Sequence, residues 1–146
     1  MSARCVIDAS VAVKLFIAES LSDKADELFD LLASGESATF YVPDAFYYEV
    51  AATLRKYALT AGYPNIKGDT ARLCALHLHM TPTVELLLDA VEISLTHTLS
   101  TYDALYLALS AREKAPLITA DERLVRLMQD KPFDVRALAS LDFSVL

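Results

Sequence analysis

The 146-residue chain has little of what soft-metal or redox chemistry requires. Its two cysteines, Cys5 in an expected strand and Cys74 in an expected helix, have no ligand nearby at zinc spacing. Both read as buried, reduced thiols. The three histidines are no better placed. His77 and His79 would diverge on a helix, and His97 stands alone near a helix end, so a histidine metal site is not expected. No apolar run approaches the ~18 residues of a membrane span, and the first acid, Asp8, arrives too early for a signal peptide. These absences lead us to expect a cytoplasmic protein that does not enter a membrane. Positive charge is scarce too: 13 Lys and Arg stand against 20 Asp and Glu, for a net charge of −7. That balance excludes a protein that coats nucleic acid through a basic surface. It leaves a phosphodiester substrate open, because bound divalent cations can supply positive charge where phosphate must sit.

What the chain has is apolar residues, at 54% of the total, with a mean hydropathy of +0.32. Its length suits one domain, without repeats or linker, that needs neither disulfide nor metal to fold. So apolar a composition without a membrane span leads us to expect a dimer or a partner that covers part of the surface.

Hydrophobic periodicity orders the elements. Cys5-Val6-Ile7 reads as a buried strand ending at Asp8, followed by a helix over Val11–Phe16. Leu21, Ala25, Leu28, Leu31 and Leu32 mark a helix from Ser20 to Leu32, closed near Gly35. Phe40-Tyr41-Val42 reads as a strand that Pro43 terminates. Asp44 is the expected cap of a long helix from Ala45 to Ala61, which Gly62 ends. Further helices are expected over Lys67–His79, Val84–Thr96 and Ser100–Lys114, with a brief strand at Thr81–Val84. Pro116–Thr119 is a second convincing buried strand. Asp121 opens a helix to Met128, and Val135–Leu138 is a weak last strand. Alternating strands and helices indicate an α/β fold with a mainly parallel sheet. Ligands of such sheets bind beyond the carboxyl ends of the strands, where Asp8 and Asp121 both fall.

Four acids stand out, and three have ordinary explanations. Asp8 and Asp121 each suit a helix N-cap. Asp103 follows Ser100 at capping-box spacing and suits the helix dipole. Glu49 differs, because its neighbours in Phe46-Tyr47-Tyr48-Glu49-Val50-Ala51-Ala52 are all apolar or aromatic. It shares a helical stripe with Thr53 and Lys56 at the margin of the apolar face, and an unpaired buried carboxylate is expensive. In combination the four would crowd one cleft, raising one another's pKa unless cations neutralise them. Hard oxygen ligands without cysteine or histidine point to Mg²⁺ or Mn²⁺, ions that activate water and stabilise charge on a phosphodiester.

The segments Val6-Ile7-Asp8-Ala9-Ser10-Val11, Glu49-Val50, Thr101-Tyr102-Asp103-Ala104-Leu105-Tyr106-Leu107-Ala108-Leu109 and Leu117-Ile118-Thr119-Ala120-Asp121-Glu122-Arg123-Leu124 resemble the PIN-domain signature. The chain is most similar to VapC-type toxins of toxin–antitoxin pairs, over nearly its whole length and in the right order. The resemblance implies a three-layer α/β/α domain around a five-stranded parallel sheet. It also implies an Mg²⁺- or Mn²⁺-dependent endoribonuclease. Asp8, Asp103 and Asp121 would be the core metal ligands and catalytic residues, completed by Glu49. Ser10 and Thr119 would support them, Thr119 by orienting a metal-bound water. Lys14 matches a basic position common in the subgroup. The implied partners are an RNA substrate, a second copy of the chain, and a cognate antitoxin with a segment that enters the acidic groove. One departure is Ala52, where relatives often carry an asparagine that would hydrogen-bond near Glu49.

Substrate contacts are less legible. Of Lys14, Arg55, Lys56 and Arg112, only Lys14 is assigned a substrate role, the others reading as a solvated face. Tyr47, Tyr48 and Tyr102 read as core residues rather than stacking platforms. Two rival classes remain. One is a noncatalytic PIN-like domain that binds a partner. The other is a phosphoacceptor receiver domain, suggested by Lys131-Pro132-Phe133 and opposed by the lack of a tandem acid pair after the first strand.

Overall fold

A computed structural model describes residues 2–34 and 38–146. β1 (Ala3–Ile7) leads into a short helix α1 (Ala9–Ala12), a 3₁₀ turn (Val13–Leu15) and α2 (Ser22–Ala33). β2 (Ala38–Pro43) is followed by α3 (Ala45–Ala61) and α4 (Ile66–Cys74), and then by β3 (His79–Thr81). α5 (Leu87–His97) and α6 (Thr101–Glu113) precede β4 (Leu117–Thr119), α7 (Glu122–Met128) and β5 (Val135–Ala137). The sheet order is β3-β2-β1-β4-β5, and all four pairings are parallel. The expected five-stranded α/β/α architecture is what the chain adopts. A receiver domain has the strand order 2-1-3-4-5, so the topology removes that rival.

Neighbouring residues on a strand point to opposite faces. Cys5, Val6 and Ile7 on β1 and Leu117, Ile118 and Thr119 on β4 are all 0% exposed, so helices cover the sheet on both sides. That is the usual fate of a parallel sheet, and it explains why these strands are nearly continuous apolar runs. From β1 the chain crosses to β2 and β3 on one side, then returns through α5 and α6 to β4 and β5 on the other. The strand order therefore reverses between β1 and β4, and the carboxyl ends of these two strands frame a crevice.

Several expected elements differ locally. The first helix starts earlier, at Ala9, and tightens to 3₁₀ geometry over Val13–Leu15. Gly35, expected to close α2, lies outside the described residues. The helix expected over Lys67–His79 ends at Cys74, and His79 belongs to a strand instead. The brief strand expected at Thr81–Val84 lies earlier, over His79–Thr81, and Thr83–Glu85 forms a 3₁₀ turn; the strand is short and mostly exposed, and its ladder against Tyr41–Pro43 of β2 sets its bounds. Gly62 ends α3 at φ 66° as expected. Asp44 does not cap α3. Its carboxylate accepts from the Thr83 backbone N–H at 2.8 Å and from the Thr83 hydroxyl, pinning the end of β2 to the loop after β3. Cys5 is buried as expected, whereas Cys74 is exposed. Tyr48 and Tyr102 are also exposed rather than in the core.

Candidate active site

The crevice at the strand reversal is a cleft of about 430 Å³, lined by Asp8, Ser10, Lys14, Glu49, Asp103 and Asp121 among others. Four separate elements deliver the four acids. Asp8 follows β1, Glu49 projects from the second turn of α3, Asp103 lies in the first turn of α6, and Asp121 follows β4. No two are close in sequence, so only the fold brings them to one opening.

Asp8 does not cap α1: its side chain makes no helix-capping bond. Its Oδ2 accepts instead from the hydroxyls of Ser10 and Thr119, both at 2.7 Å. Ser10 Oγ in turn accepts the Ala120 N–H at 3.1 Å, and Thr119 Oγ1 accepts the Asp121 N–H at 3.0 Å. Ser10 and Thr119 thus hold Asp8 against the backbone that leads into Asp121. Thr119 is fully buried and turned onto Asp8. Asp8 is half-buried and keeps an edge on the cleft. Burial raises its pKa above the usual carboxylate range, opposed by the two hydroxyls and reinforced by Asp103.

Glu49 occupies the stripe expected of it, with Thr53 beside it on the cleft wall. Its Oε1 accepts from the Tyr106 hydroxyl at 3.1 Å. Burial pushes its pKa from 4.5 up to about 7; the Tyr106 bond resists this, and Asp8 and Asp103 add to it. Tyr106, three residues along α6 from Asp103, is a partner that helical periodicity alone assigns to the core. Ala52 is exposed and carries no group that reaches Glu49.

The other two acids combine the ordinary role with the cleft. Ser100 Oγ accepts the Asp103 N–H at 3.1 Å and so caps α6. Asp121 Oδ1 accepts the N–H groups of Arg123 and Leu124 at 2.9 and 3.2 Å, which caps α7. Its Oδ2 meets the Arg123 guanidinium at 3.4 Å, and Asp103 Oδ2 lies 3.6 Å from the same nitrogen. Arg123 carries no sequence signal beyond its place two residues after Asp121.

Lys14 also lines the cleft, but its ammonium is engaged by Glu19 Oε1 at 3.1 Å and the Ser20 carbonyl at 2.7 Å. Glu19 Oε2 accepts from the Tyr57 hydroxyl at 2.9 Å. Glu19 and Tyr57, which sequence reasoning did not single out, thereby fix Lys14 in the wall.

The donor set suits a hard divalent cation, being all oxygen with neither thiolate nor imidazole. Two of the acids are held above their normal pKa by burial, and neighbouring acids add to it. Among the described residues, however, no three Asp, Glu, His or Cys side chains are gathered closely enough to hold an ion as they stand. The tight convergence that sequence reasoning expected is thus present as a shared cleft rather than a finished chelate. Mg²⁺ commonly keeps several waters and takes only one or two carboxylates, so the residues fit such an ion.

An α/β domain with carboxylates gathered at its strand reversal is the class that fold and site define. The PIN domain family model matches residues 5–128, and the chain belongs to that family. Ribonuclease VapC3 of Pyrobaculum aerophilum is 29% identical over 130 residues, covering 83% of this chain and 92% of that one. Among solved structures, Mycobacterium tuberculosis VapC20, a sarcin–ricin loop cleaving toxin, superposes with a TM-score of 0.66 at 15% identity, covering 84% of this chain and 93% of that one. A toxin–antitoxin complex from Klebsiella pneumoniae gives 0.61 at 16% identity, over 92% and 97% of the two chains. At such identities the structural likeness concerns the fold.

Proposed function

We propose that this protein is a divalent-metal-dependent endoribonuclease, the toxin of a type II toxin–antitoxin pair, working in the cytoplasm as a homodimer. The observation that carries this reading is four carboxylates from four elements facing one cleft, with no side-chain cation paired to Asp8 or Glu49 among the described residues. An RNA-cleaving relative and toxin–antitoxin structures of the same fold support it. So does the absence, among the described residues, of any helix long and apolar enough to cross a membrane.

Asp8, Asp103 and Asp121 would hold Mg²⁺ or Mn²⁺, with Glu49 completing the set. A bound ion supplies an acidified water and offsets the charge that develops on the phosphodiester. The protein's own groups do the positioning. Ser10 and Thr119 hold one oxygen of Asp8 and leave its other edge toward the cleft. Tyr106 sets the direction of Glu49. Glu49, with a pKa of about 7, can take or release a proton near neutrality. Lys14 keeps one of its three donors for a phosphate oxygen, the other two being held by Glu19 and Ser20. Tyr102, next to Asp103 in the chain and 63% exposed, would be free to stack on an unpaired base.

The second copy is supported by α5 and the turn before it. Val84, Leu88, Val91 and Leu95 form an exposed apolar stripe at helical spacing, with Leu88 89% exposed. Such a stripe is normally covered. The antitoxin would present a cationic segment to the acidic cleft.

The test is cleavage of a mixed RNA pool by the purified full chain. Cleavage that requires Mg²⁺ or Mn²⁺ and stops with chelator is the expected result. Cleavage indifferent to chelator would overturn the metal reading, and tight partner binding without any cleavage would favour the noncatalytic rival.

A further inference from the structure

The Asp103–Asp121 side of the cleft already has a cation. One guanidinium nitrogen of Arg123 lies 3.4 Å from Asp121 Oδ2 and 3.6 Å from Asp103 Oδ2. The backbone N–H of Arg123 donates to Asp121 Oδ1 at 2.9 Å, so this charge is tethered to a carboxylate it neutralises. Local helix chemistry does not explain its place. Arg123 sits in the first turn of α7, where the helix dipole disfavours a cation. What draws it there is the pair of acids from two different elements. On the other side of the cleft, Asp8 and Glu49 take their hydrogen bonds from the neutral hydroxyls of Ser10, Thr119 and Tyr106.

We infer that Arg123 is a built-in competitor of the metal: it spans Asp103 and Asp121 in the ion-free protein and gives up these carboxylates when the ion binds. The inference rests on the metal-dependent reading above. The carboxylate oxygens it contacts are on two of the three acids proposed as core ligands. A guanidinium between them resists a second positive charge at the same place. The exchange is easy, because the guanidinium is 59% exposed and exposed ion pairs change an equilibrium by no more than about fivefold.

The experiment is calorimetric titration of Mn²⁺ into the full chain without RNA, comparing wild type with Arg123→Gln and Arg123→Lys at low and high salt. Arg123→Gln should bind the ion about two- to fivefold more tightly, with Arg123→Lys between it and wild type. The gap should close at high salt, because exposed charges are screened. Thermal denaturation in chelator gives a second readout. There Arg123→Gln should melt below wild type, and saturating Mn²⁺ should remove the difference. Unchanged or weaker Mn²⁺ binding by Arg123→Gln would overturn the competition alone. Failure of the wild type to take up Mn²⁺ would overturn the metal-dependent reading, and this inference with it.

Discussion

The two halves of the cleft handle negative charge in opposite ways. The inner half, Asp8 and Glu49, is half-buried and served by neutral hydroxyls from Ser10, Thr119 and Tyr106. The outer half, Asp103 and Asp121, is 23% and 36% exposed and shares the cation of Arg123. Burial raises the pKa of both inner acids, and the hydroxyl bonds offset this only in part. The difference teaches where an ion gains most. At the inner half a bound ion would offset charge that only hydroxyls serve, and at the outer half it would have to replace the guanidinium already present. Thr119 joins the halves, since its oxygen accepts the Asp121 N–H while its proton goes to Asp8.

The sharpest way to break this contrast is Asp8→Asn. Cleavage should fall by more than about a hundredfold, and the fold should persist, because asparagine can still accept the two hydroxyls. Near-wild-type cleavage in metal-replete buffer would remove Asp8 from the site. Thr119→Val comes next. It keeps the shape but removes the shared hydroxyl, and should cost about 1–3 kcal/mol of stability together with roughly 10–100-fold in metal affinity or cleavage. Denaturant melts and metal titration would check this; an unchanged affinity would show that Thr119 does not couple the halves.

The smallest effect is the dependence of metal-free stability on pH. The Glu49 carboxyl has its pKa raised from 4.5 to about 7, so between these values the folded state holds a proton that the unfolded state releases. Stability from this group is complete below about pH 4.5 and declines as the pH rises towards about 7, and Asp8 acts in the same direction. Melting temperatures in chelator should therefore fall across this window, and Glu49→Gln should flatten the slope. A slope equally steep in the variant would assign the effect to other groups. Metal binding should run the other way, tightening as the pH rises and releasing protons.

Particular residues show how much of this was legible. β1 and β4 were readable because a buried parallel strand needs apolar side chains on both faces. Both ends of α3 were readable, from Pro43-Asp44 at its start and Gly62 at its close, although Asp44 turned out to serve Thr83. β3 was readable only in part: a brief strand was expected at Thr81–Val84, and its actual bounds, His79–Thr81, are set by its ladder to β2. The four acids stood out by position and by the family resemblance. Their partners Tyr106 and Arg123, and the hold of Glu19 on Lys14, lay inside ordinary-looking helices and turns.

Local chemistry therefore determined the order of elements, the parallel α/β class and which carboxylates stood at the carboxyl ends of strands. Spacing, caps and hydrophobic period all act within a few residues of one another. Tertiary structure alone decided that Thr119 serves Asp8, that Tyr106 serves Glu49 and that Arg123 reaches Asp103, because these contacts join elements far apart in the chain. Glu49 meets Tyr106 across 57 positions and Asp8 meets Thr119 across 111, separations over which only the packed sheet and its helices carry information.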